Sequence, residues 1–542
     1  MNAFATRSVA CRLFQWLIEL SHKKQLFFSL VLGGVSALAF APVSGVAVLV
    51  PALSGLLWIV HSAASPRRAF ALGWAFGFGH FIVGIYWIGY AFFVYAERHA
   101  LLAVPGVMGM AAILAVYIAI VSALYKWLSP HVSRGGYGGL SSMGISNVVL
   151  FAGLWTLLEG VRGWAFTGFP WNLIGSVWVI SDEILQTAAF GGVYLLSLLT
   201  VFVSALPIIV MDEKQSVGKL AFRLGGGLGV FVVLWSLGAW RLSGDELTYV
   251  DNVVLRLVQP NIPQRLKWQK DLRSKHVAKL IDMSVAPAQD GRVPTHVIWP
   301  ETSVPYSVPG YPDLMQLLKK AVPKGGALLG GSLRREIISQ NTSKRRVVWN
   351  TLFVMDEQGD VLEGYDKTHL VPFGEYVPFQ GILPIEKLTD GAVGFSFGTG
   401  LKTLSVPGLP PLSPLICYEV IFSGDVVDKQ NRPEWILNIT NDAWYGYSAG
   451  PFQHYAAARL RAVEEGLPLV RVANTGISGV IDAYGRNVVK LGLEVEGVLD
   501  SYLPVTLPIT YYAHYKWRIW ILICTSMLIY FTILKVVNSR SR

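Results

Sequence analysis

The sequence predicts a multi-span α-helical membrane domain, then a layered α/β domain, then one more membrane span. Of its 542 residues, 53% are hydrophobic and only 15% are charged, whereas soluble domains carry about 25% charged residues. Long apolar runs fill residues 25–242 and 517–536, and a region of mixed polarity lies between them, at 245–507. In that region short strand-like segments alternate with helix-like segments, which is the pattern of a layered α/β domain.

Eight segments are long and apolar enough to cross a membrane, for which about 20 mainly apolar residues are needed. Seven precede the α/β region and one follows it, and residues 1–24 form a cytoplasmic N-terminal segment. The first two spans are separated only by a short turn, which predicts a tight helical hairpin. The predicted spans cover roughly residues 25–42, 44–62, 69–95, 101–128, 147–165, 186–211, 221–241 and 517–536.

Lysine and arginine are concentrated in alternate loops, and cytoplasmic loops are the ones enriched in these residues. With residues 1–24 in the cytoplasm, the basic loops all fall on the cytoplasmic side. This orientation places 245–507 in the periplasm and both termini in the cytoplasm. The net charge of +10 therefore reflects topology, and the basic pattern of a nucleic-acid-binding protein is absent. The basic loop residues include Arg67, Arg68, Lys126, Arg134, Lys214, Lys219, Arg223 and Lys535.

The segment PLSPLICYEVIF, at 411–422, places a thiol and a carboxylate in an apolar strand-like run. Its Cys417 is the only cysteine of the predicted periplasmic domain. A lone thiol in a disulfide-forming compartment suggests chemistry, although a free cysteine is also a common core residue. Glu301 ends the strand-like run THVIWPE, and Lys367 lies in GYDKTHLVPFGEYVPF. The three residues would supply a nucleophile, a base and a cation.

A cysteine attacks a carbonyl carbon as a thiolate, so it needs a base or a nearby cation. Glu301 is the candidate base, and Lys367 is the candidate donor to the oxyanion that forms on the carbonyl. Glu375 and Glu419 would orient Lys367 or hold a proton in a second half-reaction. The alternative for each residue is a structural charge with satisfied partners. No HExxH or CxxC motif occurs, so neither a metal nor another cofactor is predicted.

Two further features have both a structural and a functional interpretation. Glu159 and Arg162 are three residues apart in the fifth predicted span, where an ion pair is favoured over a catalytic role. The aromatic, glycine-rich loops at 372–388 and 442–452 are predicted to form a lid at the membrane surface. The alternative is that their aromatic side chains are packed core.

The motifs WPE at 299–301, YDKTHLVPFGEYVP at 365–378 and ICYEVIF at 416–422 resemble the Glu-Lys-Cys site of the nitrilase superfamily. With the predicted spans, the chain as a whole resembles the apolipoprotein N-acyltransferase family. The resemblance implies an αββα nitrilase-like domain in which Glu301 is the base, Lys367 the oxyanion stabiliser and Cys417 the nucleophile. It also implies supporting or substrate-contacting roles for Trp268, Asn350, Glu375, Tyr418, Glu419 and Trp444.

The substrates likewise come from the resemblance. A membrane phospholipid, expected to be phosphatidylethanolamine, would give its sn-1 acyl chain to Cys417 as a thioester. The α-amino group of an S-diacylglyceryl cysteine on an apolipoprotein would then accept the chain, which is a ping-pong acyl transfer. This activity would mature lipoproteins in the bacterial inner membrane, and the protein is expected to be a monomer.

Two other functions are compatible with the residues. A membrane-tethered amidase that hydrolyses a periplasmic amide would have the same site and would differ in admitting water. Eight spans favour lipid substrates, because one anchor would suffice for such a hydrolase. A lipid or lipoprotein binding module with a degenerate site is the second alternative, and the intact Glu301, Lys367 and Cys417 argue against it.

Overall fold

The computed structural model divides the chain into two compact units, which are Met1–Tyr86 with Val104–Gly244 and His514–Arg542, and Trp87–Ala103 with Asp245–Ala513. We call them the helical unit and the α/β unit. The described residues are 12, 15–129, 144–211, 217–244, 246–288, 291–308, 310–340, 343–378 and 394–540.

The helical unit contains helices over each predicted span. Helices α1 to α7 are His22–Ser36, Leu49–Ser62, Pro66–Gly84, Ala103–Leu128, Ile145–Arg162, Ala188–Ala205 and Val217–Leu242, and a C-terminal helix covers Trp517–Arg540. Among the described residues, four helical stretches are long and apolar enough to cross a membrane: Ala96–Leu128, Ile145–Arg162, Ala188–Ile209 and Ala221–Leu242. Two shorter apolar helices, Val46–Ser62 and Arg518–Ile533, accompany them. The number of crossings stays a prediction.

Helix α3 is shorter than the predicted span at 69–95. Its start is set locally, because the Ser65 hydroxyl accepts a hydrogen bond from the Arg68 N–H, and proline occupies the first helical turn. The helix ends at Gly84, and Trp87–Ala103 belongs to the α/β unit. The Trp87 indole donates a hydrogen bond to Gln453 Oε1 at 3.1 Å. The apolar composition of residues 87–95 is compatible both with a longer membrane-spanning helix and with packing against the α/β unit, so the sequence could not distinguish the two.

Glu159 and Arg162 are both buried in the helical unit. Glu159 Oε1 accepts hydrogen bonds from the Trp155 indole at 3.1 Å and from the Ile174 N–H at 2.8 Å. The Arg162 guanidinium donates to the carbonyl oxygens of Phe169 and Trp171, at 3.0 and 2.6 Å. These contacts join helix α5 to the segment after it, which favours the structural interpretation of the two residues.

The α/β unit contains two β-sheets. The first has the strand order β11-β1-β2-β3-β4-β5 and the second has the order β10-β9-β8-β7-β6. Strands β6, β7 and β8 run parallel, so their carboxyl ends meet at one edge of the second sheet. Strands β1 to β11 are Tyr249–Gln259, His296–Ile298, Ala327–Gln340, Ser343–Asp356, Val361–Asp366, Leu412–Ile416, Trp435–Thr440, Leu469–Ala473, Ser478–Ile481, Asn487–Leu491 and Gly497–Pro504.

Successive residues of the central strands belong to two different cores, as expected for strands buried on both faces. Ile298 and Leu329 contribute to the core between the two sheets. Val297 and Leu328 contribute to the other core, on the outer face of the first sheet. That outer core includes residues of helices Arg273–Val285 and Pro312–Leu318. Together with helix Ala449–Glu465, which packs against β8, these elements form the predicted αββα sandwich.

The short helix Gln264–Lys267 is the first helix of this unit after β1. In chain order we label Gln264–Lys267, Arg273–Val285, Pro312–Leu318 and Ala449–Glu465 as α8 to α11. Strands β4 and β5 form a hairpin and pair antiparallel across the turn after Asp356.

Candidate active site

Glu301 and Lys367 follow two strands of the first sheet and lie close together. Lys367 directly follows β5, and Glu301 is three residues beyond the end of β2. The Glu301 main chain packs closely against Gly331 of β3. A side chain at position 331 would prevent this packing, since its Cβ atom would lie 2.7 Å from Glu301 Cα. Lys367 Nζ lies 3.6 Å from Glu301 Oε1 and 2.9 Å from Glu375 Oε2. Both carboxylates and the ammonium group are buried.

Asn350 of β4 connects the two carboxylates. Its side-chain N–H₂ group donates to Glu301 Oε1 at 2.7 Å and to Glu375 Oε1 at 3.1 Å. Glu375 Oε2 also accepts from the Val371 N–H at 2.8 Å. Buried carboxylates require such donors, because an unpaired charge in an apolar interior is costly. The four side chains therefore form one hydrogen-bonded cluster, which we call the Lys367 cluster.

Cys417 lies at the carboxyl edge of the second sheet, and the prediction that it sits inside a strand is wrong. Strand β6 ends at Ile416, and Cys417 begins a 3₁₀ turn that extends to Ile421. Its φ angle is +54°, a value that costs energy in a residue with a Cβ atom. The apolar residues around Cys417 are buried in either conformation, so their pattern could not separate strand from turn. Such a strand-to-turn junction presents the side chain at the end of the strand.

Glu419 joins the Cys417 turn to the loop that carries Lys367. Its Oε2 accepts from the Ile416 N–H at 2.7 Å. Its Oε1 accepts from the Thr368 and His369 N–H groups at 2.7 and 3.0 Å, and from the Tyr365 hydroxyl at 2.9 Å. With both oxygens bonded to donors on the two sheets, Glu419 has the contacts of a positioning residue. Glu375, in contrast, contacts Lys367 directly.

The electrostatic environment keeps the Cys417 thiol protonated at neutral pH. Burial and the nearby Glu301 carboxylate together raise the pKa of Cys417 to about 12, although Lys367 acts to lower it. Burial alone would lower the pKa of Lys367, but the Glu375 and Glu301 carboxylates outweigh it and raise that pKa. Lys367 is therefore a permanent cation, and the thiol needs a base to become a nucleophile.

A second buried network holds the Cys417 main chain, and the sequence did not indicate it. His454 Nε2 donates to the Cys417 carbonyl oxygen at 3.1 Å, while its Nδ1 lies 2.8 Å from Asp442 Oδ1. Arg471 Nη2 is 2.8 Å from Asp442 Oδ2. Burial would raise the pKa of Asp442, but Arg471 and His454 lower it to about 2. The three residues lie after β7, in α11 and in β8, so the sequence alone did not show that they meet beneath Cys417.

The same network brings three possible metal-ligand types together. Ligand atoms of Cys417, Asp442 and His454 lie within 4.8 Å of one another. His454 and Asp442 already have protein partners. Both ring nitrogens of His454 make close contacts with protein oxygens, and Asp442 is in an ion pair with Arg471. The arrangement is the one expected for a cysteine supported by its neighbours, and the absence of a metal stays a prediction.

The remaining predicted residues lie around this centre. Tyr418 is buried, and its ring makes an edge-to-face contact with Phe422 at 5.2 Å. Trp268 directly follows α8 and is half-buried. Trp444 is also half-buried, and its ring centroid lies 6.5 Å from that of Tyr95. The structure thus unites Glu301, Asn350, Lys367, Glu375, Cys417 and Glu419 and places the three aromatic residues on adjoining segments.

Two sequence models of known families match the chain. The first, described as the apolipoprotein N-acyltransferase N-terminal domain, matches residues 32–206. The second, described as carbon-nitrogen hydrolase, matches residues 255–506. Proteins named apolipoprotein N-acyltransferase from Rhodopseudomonas palustris and Bradyrhizobium diazoefficiens are 38% and 40% identical to the chain. The alignments cover 94% of the chain and 94% of the first relative, and 90% of the chain and 91% of the second.

The chain belongs to the apolipoprotein N-acyltransferase family. It is an acyltransferase of the nitrilase superfamily, and the four long apolar helices among its described residues fit a membrane protein. Among solved structures, an amidase from Nesterenkonia sp. AN1 is 19% identical, with a TM-score of 0.33. The match covers 49% of this chain and 98% of the amidase. The family assignment rests on the sequence relatives and not on this likeness.

The two aromatic loops of this N-acyltransferase-family chain are described in part. Phe379, Ile382 and Leu383 of the first loop lie outside the described residues. In the second loop Tyr447 is 69% exposed, whereas Tyr445 contacts the Trp87 ring at 4.4 Å between centroids. The loop at 442–452 therefore combines a packed base with an exposed tip, and its action as a lid stays a prediction.

We predict that Glu301→Gln and Lys367→Met each abolish acylation of Cys417 by an ester. Glutamine cannot accept the thiol proton, and methionine removes the ammonium group that pairs with Glu375 and would donate to the oxyanion. Each loss should exceed about a thousandfold, and the double variant should be little worse than either single variant because the groups act as a unit. Acylation is measured by the mass of the Cys417 peptide.

Lys402→Met is the matched control, because Lys402 pairs with Glu363 on the surface and should be removed without effect on acylation. Near-normal acylation in Glu301→Gln, with the control also normal, would identify another group as the base. Glu419 would then be the first candidate.

Proposed function

We propose that this protein transfers a fatty acyl chain from a membrane phospholipid to the α-amino group of an S-diacylglyceryl cysteine on an apolipoprotein. The observation that carries the proposal is Cys417, a buried thiol on a strained turn that interacts electrostatically with Glu301 and Lys367. Such a site occurs here in a chain whose relatives are named apolipoprotein N-acyltransferase. The donor we propose is phosphatidylethanolamine, through its sn-1 chain.

In the first half-reaction Glu301 accepts the Cys417 proton, and the thiolate attacks the ester carbonyl carbon of the phospholipid. Lys367 Nζ donates a hydrogen bond to the oxyanion that forms. Stabilisation of such a charge by a preorganised donor is usually the largest single contribution to lowering the activation free energy. When the tetrahedral intermediate collapses, the C–O bond breaks and Glu301 returns the proton to the departing alkoxide. The products are a Cys417 thioester and a lysophospholipid.

In the second half-reaction the α-amino group of the diacylglyceryl cysteine attacks the thioester carbonyl carbon. Glu301 accepts a proton from the attacking nitrogen, and Lys367 again stabilises the oxyanion. The C–S bond breaks, the thiolate takes the proton from Glu301, and the product is an amide. Burial of Cys417, which is 6% exposed, supports transfer over hydrolysis, because a thioester in a water-poor site persists until an amine arrives.

We further propose that the protein lies in the bacterial inner membrane with the α/β unit in the periplasm and both termini in the cytoplasm. The distribution of lysine and arginine between the loops supports this orientation. A periplasmic catalytic unit would meet both the phospholipid and the lipid-anchored apolipoprotein at the membrane surface. We propose that the enzyme acts as a monomer without cofactor or nucleic acid.

We predict that phospholipid alone leaves a hydroxylamine-sensitive acyl group on the peptide that contains Cys417. Cys417→Ser should not form the adduct, because a hydroxyl is far less ionised beside the same base, whereas Cys524→Ala should be acylated normally. A diacylated lipopeptide added afterwards should discharge the label as an amide. Discharge to free fatty acid at the same rate with and without lipopeptide would indicate an amidase-type hydrolase. Transfer without any label on Cys417 would refute the mechanism.

Topology can be tested with reporter fusions. A reporter placed after Arg542 should be active only in the cytoplasm, and one inserted at 340–344, between β3 and β4, should be active only in the periplasm. The physical reason is the excess of basic residues in the loops assigned to the cytoplasm. If both reporters lie on one side of the membrane, the C-terminal helix does not cross it.

The lid can be tested with Trp444→Ser. The variant should keep its melting temperature and its alkylation by a small water-soluble thiol reagent, and should lose most acyl transfer from phospholipid in a bilayer. The reason is that a half-buried aromatic side chain at headgroup level would guide the bulky substrate and not the small one. Phe379→Ser tests the other loop in the same way. Equal loss of both reactivities with a lowered melting temperature would assign Trp444 to the core.

A further inference from the structure

The segment NIPQRLKW, at 261–268, is anchored to the edge of the second sheet where Cys417 lies. The Ile262 N–H donates to Asn474 Oδ1 at 3.0 Å, and Gln264 Oε1 accepts from the Asn441 amide at 2.7 Å. Asn441 and Asn474 directly follow β7 and β8. These strands run parallel to β6, so their ends share its carboxyl edge. The segment therefore has a defined position beside the Cys417 turn.

Lys267 extends from this segment to the first sheet. Its Nζ donates to the main-chain carbonyl oxygen of Glu301 at 3.0 Å, and the residue is only 4% exposed. Fully buried lysines are rare unless they are paired, because removing an ammonium group from water is costly. The side chain thus connects the Glu301 segment to the edge that carries Cys417.

The buried carboxylates of the site outnumber Lys367, so a second cation is needed to balance their charge. Three buried carboxylates, those of Glu301, Glu375 and Glu419, surround the site, and Lys367 is in an ion pair with Glu375. Lys267 adds a second buried cation, and it interacts electrostatically with Glu301 and Cys417. Its hydrogen bond is to the Glu301 main-chain carbonyl and not to the Glu301 carboxylate.

We propose that Lys267 is a positioning residue for acylation, which holds the Glu301 main chain and stabilises the Cys417 thiolate. The inference rests on the proposed function of Cys417 and Glu301 as nucleophile and base. The Glu301 carboxylate destabilises a thiolate beside it, and Lys267 offsets that effect because its charge interacts with both groups. A cation near Sγ therefore lowers the free energy of the thiolate that must form.

The charge of Lys267 should vanish within an accessible pH range. Burial lowers the pKa of Lys267 to about 8, even though the charges of Glu301 and Cys417 act to raise it. Among the described residues His276 also interacts with Lys267, and its pKa is lowered by burial and by Lys279, so His276 is neutral near pH 8. Lys267 is therefore a cation below about pH 8 and neutral above it. Its help to the thiolate should disappear as the pH rises through that value.

The test is alkylation of Cys417 by iodoacetamide in the full-length protein in detergent, followed by the mass of the Cys417 peptide. Alkylation reports thiolate formation and needs no lipid. Lys267→Met removes both the charge and the hydrogen bond, whereas Lys267→Gln removes the charge and keeps a donor for the Glu301 carbonyl. Lys279→Met is the matched control, because Lys279 pairs with Glu496 on the surface. Melting temperatures are recorded for each variant.

At about pH 6 both Lys267 variants should be alkylated about tenfold or more slowly than the unmodified protein, which corresponds to one unit in the thiol pKa. At about pH 10 the rates should converge, because Lys267 is then neutral in the unmodified protein as well. The control should match the unmodified protein at both values. If Lys267→Met fails to fold, Lys267→Gln decides the matter alone.

Two results would overturn the inference. Wild-type rates in Lys267→Gln would show that only the hydrogen bond matters, and a defect independent of pH would show a purely structural role. Neither result bears on the proposed function. Failure of phospholipid to acylate Cys417 in the unmodified protein would overturn that function instead, and the alkylation test does not depend on it.

Discussion

The burial of the Lys367 ammonium group among carboxylates is the constraint on which the rest of the site depends. An isolated lysine at this depth would be costly, so Glu301 and Glu375 must stay within ion-pair distance of Nζ. The same two carboxylates would repel each other without Lys367, and Asn350 must donate to both. The segments that follow β2 and β5 are therefore connected to each other and to β4 by these ion pairs and hydrogen bonds, in addition to the main-chain hydrogen bonds of the sheet.

The thiol belongs to the other sheet, so a second set of contacts must bring it to the Lys367 cluster. Glu419 does this by accepting hydrogen bonds from the Ile416 main-chain N–H and from main-chain N–H groups of the loop after Lys367. His454 holds the carbonyl of the strained Cys417 turn. Both contacts are made to main-chain groups. They fix the position of Cys417 and leave its thiol available to react. Lys267 completes the connection from the Glu301 side.

The sequence determined the class of the protein and the identity of the reacting groups. Polarity alone separated the apolar spans from the α/β domain, and alternating segments predicted its layered fold. Glu301, Lys367 and Cys417 were identifiable because each is a polar residue in an otherwise apolar setting, where burial without a partner is unfavourable. Their motifs lie within short stretches, so the resemblance to the family was also readable from local sequence.

The tertiary structure decided what depends on groups distant in the chain. Asp442, His454 and Arg471 form a network under Cys417 because the edges of β6, β7 and β8 coincide, and no local pattern records that coincidence. Residues 87–95 are apolar enough to be predicted as the end of a membrane span, but they belong to the α/β unit. Lys267 looks like one more surface cation beside Arg265 in the sequence. Only the fold buries it against Glu301, because burial is a property of neighbours that the chain supplies from elsewhere.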